Sequence, residues 1–441
     1  MTDRLSVWKK DVIGWSLYDF ANTIYSMNIV SLYLKRYIVE DLKFDDRYFD
    51  IPFSASMLIA ALVLPALGAL SDQSAKKKIF LFLFTLSCCT AVGLMAFVPE
   101  SFIAAVIVLF IIANFSYEAG QPFYNALLYS VADGQQARYI SGIGVSFGYV
   151  GSILGMVLVL PFVTGSFFGI DIPFLRGWEK PGAFVPTALL FFIFTLPLFA
   201  WVKEQPVVKP RTGGMRLAYR EVWQGIRDTR KYPGVLRFLI ADYFFEDTVM
   251  TVILNIGIYC SLVLGMADQQ ITTFLIISTI SAVIGSFLVG RVARTRSLKQ
   301  LVVLIVVGWV VALTVFVFID NMTVIWVLGS FVGILMGGLW TTTRPMLAEM
   351  VPREELGRFF GLFALSGRAA AVLGPLVWTA MVFLFKDEKI LGWLPVKLFN
   401  VAAADLQSFA YKMAVLSLVM ILLGGLVIFR KVPPTPGGQL G

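Results

Sequence analysis

Apolar runs of roughly twenty residues recur along the whole chain, each closed by a short polar stretch. They fall at roughly 11–36, 51–71, 79–98, 101–131, 139–163, 184–202, 235–263, 270–290, 299–319, 323–350, 358–385 and 408–430. Each is long enough to cross a hydrocarbon core of ~30 Å. A backbone in lipid must satisfy its own hydrogen bonds, so each run predicts a helix. The longest polar stretch, roughly 203–233, leaves no room for a soluble domain between spans. The pattern predicts an all-α membrane protein with twelve transmembrane helices. It divides into a six-helix half at 1–202, a connecting loop at 203–234 and a second half at 235–441.

Composition agrees. Hydrophobic residues make up 58% of the 441-residue chain and charged residues 15%, against about 45–50% and about 25% in soluble domains. The opening residues are polar and basic (Arg4, Lys9, Lys10), and the first apolar run is too long for a signal-peptide core, so no cleaved signal is expected. The net charge of +8 could suggest nucleic acid, but its placement gives it another meaning. Of the 36 Lys and Arg, 23 fall on the side holding the termini, the 203–233 loop and Lys76, Lys77 and Lys78. Nine fall on the other side and four within spans. Positive charge accumulates in the cytoplasm, so both termini are expected there and no nucleic acid is implied. A prokaryotic cytoplasmic (inner) membrane is the expected location.

Cys88, Cys89 and Cys260 lie inside apolar runs and read as small core residues. The chain has no histidine, which removes the commonest metal ligand and the one side chain that ordinarily titrates near neutrality. No metal set, nucleophile triad or phosphate-binding loop is present, so neither an enzyme nor a cofactor is expected.

The two halves repeat. Gly142, Gly148 and Gly155 of segment 5 have the spacing of Gly361, Gly367 and Gly374 of segment 11, at an offset of 219. The same offset carries Asn125 onto Arg344. Ala137-Arg138 and Gly357-Arg358 precede the two segments, and Gly177-Trp178 and Gly392-Trp393 stand in the following loops. Asn22-Thr23 and Asp247-Thr248 align at an offset of 225. Parallel six-helix repeats imply a pseudo-twofold axis along the membrane normal. The glycines are expected to let segments 5 and 11 pack closely, with Gly144-x3-Gly148 and Gly151-x3-Gly155 as small-residue faces. In the central loop, Leu217, Val222, Trp223 and Ile226 stand among six Arg and Lys between Arg211 and Lys231. That suits a short helix on an anionic membrane face; a solvated tether is the plainer alternative.

Gly68-Ala-Leu-Ser-Asp72-Gln-Ser-Ala-Lys76-Lys77 resembles the loop signature of the major facilitator superfamily, apart from Gln73 and Ala75 where that family usually has a basic residue and glycine. The resemblance implies the major facilitator fold, two pseudo-twofold six-helix halves and substrate bound near the midplane, exposed alternately to each side. It also implies a conformational latch at Gly68, Asp72, Lys76 and Lys77, with Gly68 allowing close helix approach. A narrower likeness starts at Trp15-Ser-Leu-Tyr18-Asp19-Phe20-Ala21-Asn22-Thr23 and continues through Phe123-Tyr124-Asn125, Gly337-Gly338 and Thr343-Arg344-Pro345 to Gly361, Arg368 and Gly374-Pro375. It is similar to the "unknown major facilitator" family, which includes the autophagy-linked vacuolar amino-acid effluxers of fungi. Pro345 stands where the family more often has serine, and Glu246-Asp247-Thr248 departs from its usual acid-glycine pair.

Ionisable residues inside spans are costly and mark pathways. Asp19 lies about 12 Å into segment 1 and Asp242, Glu246 and Asp247 about 10–18 Å into segment 7. Glu118 is mid-way along segment 4, Arg344 toward the end of segment 10, and Arg368 about 15 Å into segment 11. Asp242 and Glu246, four apart, share a face. These residues, with Asn22, Asn125 and Tyr149, are the candidate substrate or ion pathway. Tyr18, Tyr25, Tyr124 and Trp340 are candidate lining aromatics. Arg368 is the expected electrostatic counterpart of Glu118 and Glu246. Structural ion pairing or capping is the plainer reading of Asp19, Arg344 and Asp247.

The expected function is secondary active transport of a small polar solute, with amino acids among the candidates and protons as a candidate coupling ion, by a monomer in the lipid bilayer. The rivals are proton-coupled export of amphipathic compounds and a non-transporting receptor or scaffold on the same fold.

Overall fold

A computed structural model describes residues 9–73, 76–131, 134–167, 170–172, 175, 179–204, 214–293, 295–352, 356–399 and 401–433. They are almost entirely helical. The helices are α1 (Lys10–Tyr25), α2 (Arg47–Gln73), α3 (Lys77–Met95), α4 (Ile103–Val131), α5 (Gly134–Thr164), α6 (Phe184–Trp201) and α7 (Gly214–Asp228). After them come α8 (Val235–Leu262), α9 (Asp268–Val292), α10 (Leu298–Phe318), α11 (Met322–Met350), α12 (Leu356–Ala370), α13 (Leu373–Lys386) and α14 (Leu406–Arg430). Among the described residues, 11 helical stretches are long and apolar enough to cross a membrane. The first apolar run is the twelfth. It stays helical from Lys10 to Asp41 but changes winding, with π turns at Ser26–Tyr33 and Tyr37–Asp41. The hydroxyl of Ser31 donates to the Ser26 carbonyl five residues back at 3.2 Å, a contact the wider π turn permits. Outside the helices, β1 (Ser166–Phe167) and β2 (Ile170–Asp171) form a small antiparallel hairpin.

Segment 11, expected as one helix over 358–385, is two, α12 and α13, parted at Ala371–Val372. Pro375 has no N–H to return to the carbonyl four residues earlier, so the ladder fails there. The exposed start of α13 is then satisfied by a side chain: the Gly374 N–H donates to Asp247 Oδ1 at 2.7 Å.

The glycines also sort differently from the repeat that revealed them. On α5, Gly144, Gly148, Gly151 and Gly155 form one face against Trp15, Thr23, Phe20 and Ile24 of α1. A Cβ at Gly151 would strike the Phe20 carbonyl, so the α1 and α5 backbones pass in direct contact. Gly142, Gly361 and Gly367 face open space, and of the segment-11 set only Gly374 is close-packed. In the second half the close approach has moved: Gly329, Gly333 and Gly337 of α11 pack on α9, two of them against the carbonyls of Ser278 and Ala282. Gly68 also has nothing within reach of a Cβ, so it is not the close-approach residue expected of it.

The chain forms two compact units, one of Met1–Phe44 with Ala55–Glu221, the other of Asp45–Ser54 with Val222–Gly441. The first has a buried polar knot at the end of its opening helical run. There Arg36 is held by Glu40 at 2.9 Å, and Lys180 pairs with Glu40 at 3.0 Å and with Asp41. In the second, the N-terminal end of α2 is tied down by side chains. The Tyr411 hydroxyl donates to Asp46 at 2.7 Å, Thr379 donates to Asp50, and Lys386 pairs with Asp45 at 3.1 Å. Gly177-Trp178 and Arg211 lie outside the described residues, as do the side chains of Asp72, Arg138 and Arg358.

Candidate functional site

In the first unit the opening stretch Trp15–Thr23 meets the Phe123–Asn125 stretch of α4. Trp15 and Tyr18 stack on the Tyr124 ring, each with centroids 4.7 Å apart. Trp15 Nε1 donates to the Tyr124 carbonyl at 3.2 Å, and the Tyr18 hydroxyl bonds Thr85 of α3 at 3.1 Å. All three rings are buried, so they are the wall of this cluster rather than an open surface. Asp19 stands one turn along, half-buried, against the glycine face of α5: a Cβ at Gly144 would lie 3.1 Å from its Oδ2. A side chain at Gly144 would strike the Trp15 ring, 2.6 Å from that Cβ, and crowd the carboxylate. Thr23 donates to the Gly148 carbonyl at 2.7 Å and fixes the register of α1 on α5.

Tyr117 of α4 lies within electrostatic reach of both Asp19 and Glu118, which brings the two acids to one neighbourhood. Tyr25 reaches Asn114 at 3.4 Å, and Asn114 donates to Ser56 at 2.8 Å. Asn22 is buried, with its Oδ1 unpartnered among the described residues. Tyr149 is half-buried on α5 and its carbonyl accepts from Ser152 at 2.8 Å. Asn125 is exposed.

The second unit brings two helices face to face with matched spacing. On α8, Asp242 and Glu246 are four apart; on α11, Trp340 and Arg344 are four apart. The Trp340 indole N–H donates to Glu246 Oε2 at 3.0 Å. Arg344, itself exposed, acts electrostatically on both carboxylates. Asp242 is fully buried, and neither of its oxygens has a hydrogen-bond partner among the described residues. Such a group calls for a proton, a cation or water to offset its desolvation.

Asp247 points elsewhere, to the break between α12 and α13, where it caps Gly374; its second oxygen is unpartnered among the described residues. Arg368 donates to the Ala364 carbonyl of its own helix at 3.3 Å. Arg344 acts on Glu246, a counterpart in addition to the Arg368 that the sequence suggests. The 219-residue offset marks Arg344 as the repeat's counterpart of exposed Asn125 but carries no sign of its place beside Glu246.

The Lys76–Lys77 region has an anchor the sequence did not disclose. The Lys78 ammonium donates to the Val202 carbonyl at 2.8 Å, and its backbone N–H meets Glu204 beyond the end of α6. Lys76 is exposed and Lys77 opens α3. Among the described residues no group of acids and cysteines is arranged to hold a metal.

Solved structures share this architecture. A bacterial homologue of the human lysosomal transporter Spinster, in an inward-facing and occupied conformation, superposes with a TM-score of 0.71 at 11% identity, covering 95% of each chain. The nucleoside transporter NupG gives 0.67 at 16% identity, over 95% of this chain and 99% of that one. The fold is that of the major facilitator transporters, an integral membrane architecture of many spanning helices. Within that class, residues 48–135 and 129–383 match the family described as "Vacuole effluxer Atg22 like", and the chain belongs to it. An uncharacterized MFS-type transporter, YxiO of Bacillus subtilis, is 24% identical over 82% of this chain and 86% of its own. Autophagy-related protein 22 of Kluyveromyces lactis is 23% identical over 84% of this chain and 87% of its own.

Proposed function

We propose that the protein carries a small zwitterionic solute, an amino acid in particular, across a prokaryotic cytoplasmic membrane by alternating access, acting as a monomer with both termini in the cytoplasm. The observation that carries this reading is the facing pair on α8 and α11. Asp242 supplies an anionic acceptor for an ammonium group, Glu246 beside it the carboxylate that takes up and releases the coupling proton, and Arg344 a fork for a carboxylate. Trp340 positions Glu246 and offers a ring face for a cation. A zwitterion needs both charges answered within one small space, and the two i, i+4 pairs provide that. The resemblance to amino-acid effluxers supports the same substrate class.

In this reading the buried acids couple transport to protons, because the chain has no histidine to do so. Residues 1–202 and 235–441 act as the two moving bodies, and the loop at Gly68, Asp72, Lys76 and Lys77 biases one state. The first-unit aromatics argue against export of large amphipathic compounds, since Trp15, Tyr18 and Tyr124 are each only 2% exposed and are already packed on one another.

Ligand-dependent melting of the purified protein tests the substrate class. A ligand at one hundred times its Kd stabilises the folded state by about 2.7 kcal/mol. At least one amino acid should raise Tm, and the corresponding amine and carboxylic acid alone should not. Stabilisation by amphipathic cations and by no amino acid would contradict the reading.

A further inference from the structure

The helix α7 has a face left outside the packing. Its exposed side carries Tyr219, Trp223 and Ile226, at spacings of four and three, which place them in one stripe. They are 45%, 70% and 44% exposed. Arg216, Arg220 and Arg227 are exposed along one flank of that stripe. Glu221, Gly225 and Asp228 lie on the opposite side of the helix, where Gly225 is buried and the two acids are half-buried. The surroundings therefore accept the small and acidic side and leave the aromatic, cationic side outward. A soluble tether would be expected to do the reverse with tryptophan.

The position of α7 says what covers it. The Tyr219 hydroxyl donates to the Leu62 carbonyl at 2.8 Å. Leu62 lies within α2 (Arg47–Gln73), ten residues or about 15 Å before Asp72, where its apolar run ends. Its side chain is 61% exposed, beside exposed Leu58 and Ile59. The Tyr219 hydroxyl thus meets a lipid-facing stretch of a spanning helix, which lays the Tyr219 end of α7 against the apolar layer, as in interfacial amphipathic helices.

We infer that α7 is a lipid-binding element, seated in the cytoplasmic leaflet with Tyr219, Trp223 and Ile226 among acyl chains and Arg216, Arg220 and Arg227 on anionic phospholipid headgroups. The stripe supplies apolar burial, and each arginine near an anionic leaflet contributes on the order of a fivefold gain in partition.

The test uses the full chain in nanodiscs, with Cys88, Cys89 and Cys260 replaced by serine or alanine and Ile226→Cys carrying an environment-sensitive fluorophore. In phosphatidylcholine containing phosphatidylglycerol, the fluorophore should emit to the blue and be quenched by brominated acyl chains. R216E/R220E/R227E should remove much of both signals, as should phosphatidylcholine alone or high salt, while monodispersity and Tm stay those of the parent. A water-like emission in anionic nanodiscs would overturn the proposal. So would quenching indifferent to both lipid charge and arginine reversal, because the arginines would then play no part in seating the helix. A signal regained by adding free inorganic phosphate to the phosphatidylcholine discs would assign the arginines to a soluble anion and also overturn it.

Discussion

At Glu246 a carboxylate, an indole and a guanidinium meet on two helices, and each has a separable task. Glu246→Gln keeps the shape and the Trp340 contact but removes the proton acceptor. It should abolish gradient-driven flux and spare exchange of substrate for substrate, because exchange needs neither the empty carrier's return nor a proton's release. Arg344→Ala removes a cation that acts on both carboxylates and should lose substrate binding in both assays. Parallel flux and exchange measurements check this, and undiminished exchange in Arg344→Ala would remove it from the binding role. Arg368→Ala should fall short of that loss. Gly374 gives a stability prediction. A methyl there would strike the Thr251 hydroxyl and crowd the Asp247 carboxylate, so Gly374→Ala should cost about 1–3 kcal/mol. Thr251→Ala should recover part of it in thermal melts. Residue identity was legible in the sequence for all the acids, since charge inside an apolar run stands out. Their partners were not, because Trp340 and Arg344 approach Glu246 across nearly a hundred positions of chain.

The helices themselves were readable from hydropathy almost to their ends, because apolar length and bilayer thickness are the same constraint. What the pattern could not show was winding within a span. The π turns of the first run and the break at Ala371–Val372 change hydrogen bonding without changing hydropathy, and only Pro375 hinted at the second. Glycine spacing was likewise ambiguous. The repeat marks Gly361 and Gly367 as strongly as Gly148 and Gly155, yet two face open space and two are pressed against α1. Substitution should separate them. Gly151→Val, directed at the Phe20 carbonyl, should destabilise the fold and lower yield. Gly361→Ala should be neutral or gain up to about 1 kcal/mol from helix propensity. Equal losses at both positions, read by thermal melting, would contradict the packing described for α5.

For the molecule as a whole, the family was legible in motifs spread along the chain, and the family match agrees over most of it; the charge asymmetry carries the orientation. Orientation has a direct check. Single cysteines introduced into the loops after segments 5 and 11, in a background lacking the three native thiols, should react with an impermeant reagent in intact cells. Cysteines in the 203–233 loop should react only after permeabilisation, and the reverse pattern would invert the topology. The central claim, carriage of an amino acid by a moving binding site, is tested most directly by counterflow. Proteoliposomes loaded with a high concentration of one unlabelled amino acid are diluted into a trace of the same compound carrying a label. Transient accumulation of label above equilibrium, lost in Arg344→Ala and kept in Glu246→Gln, is the result predicted. No accumulation with any amino acid, by a protein that melts cooperatively and is correctly inserted, would contradict it.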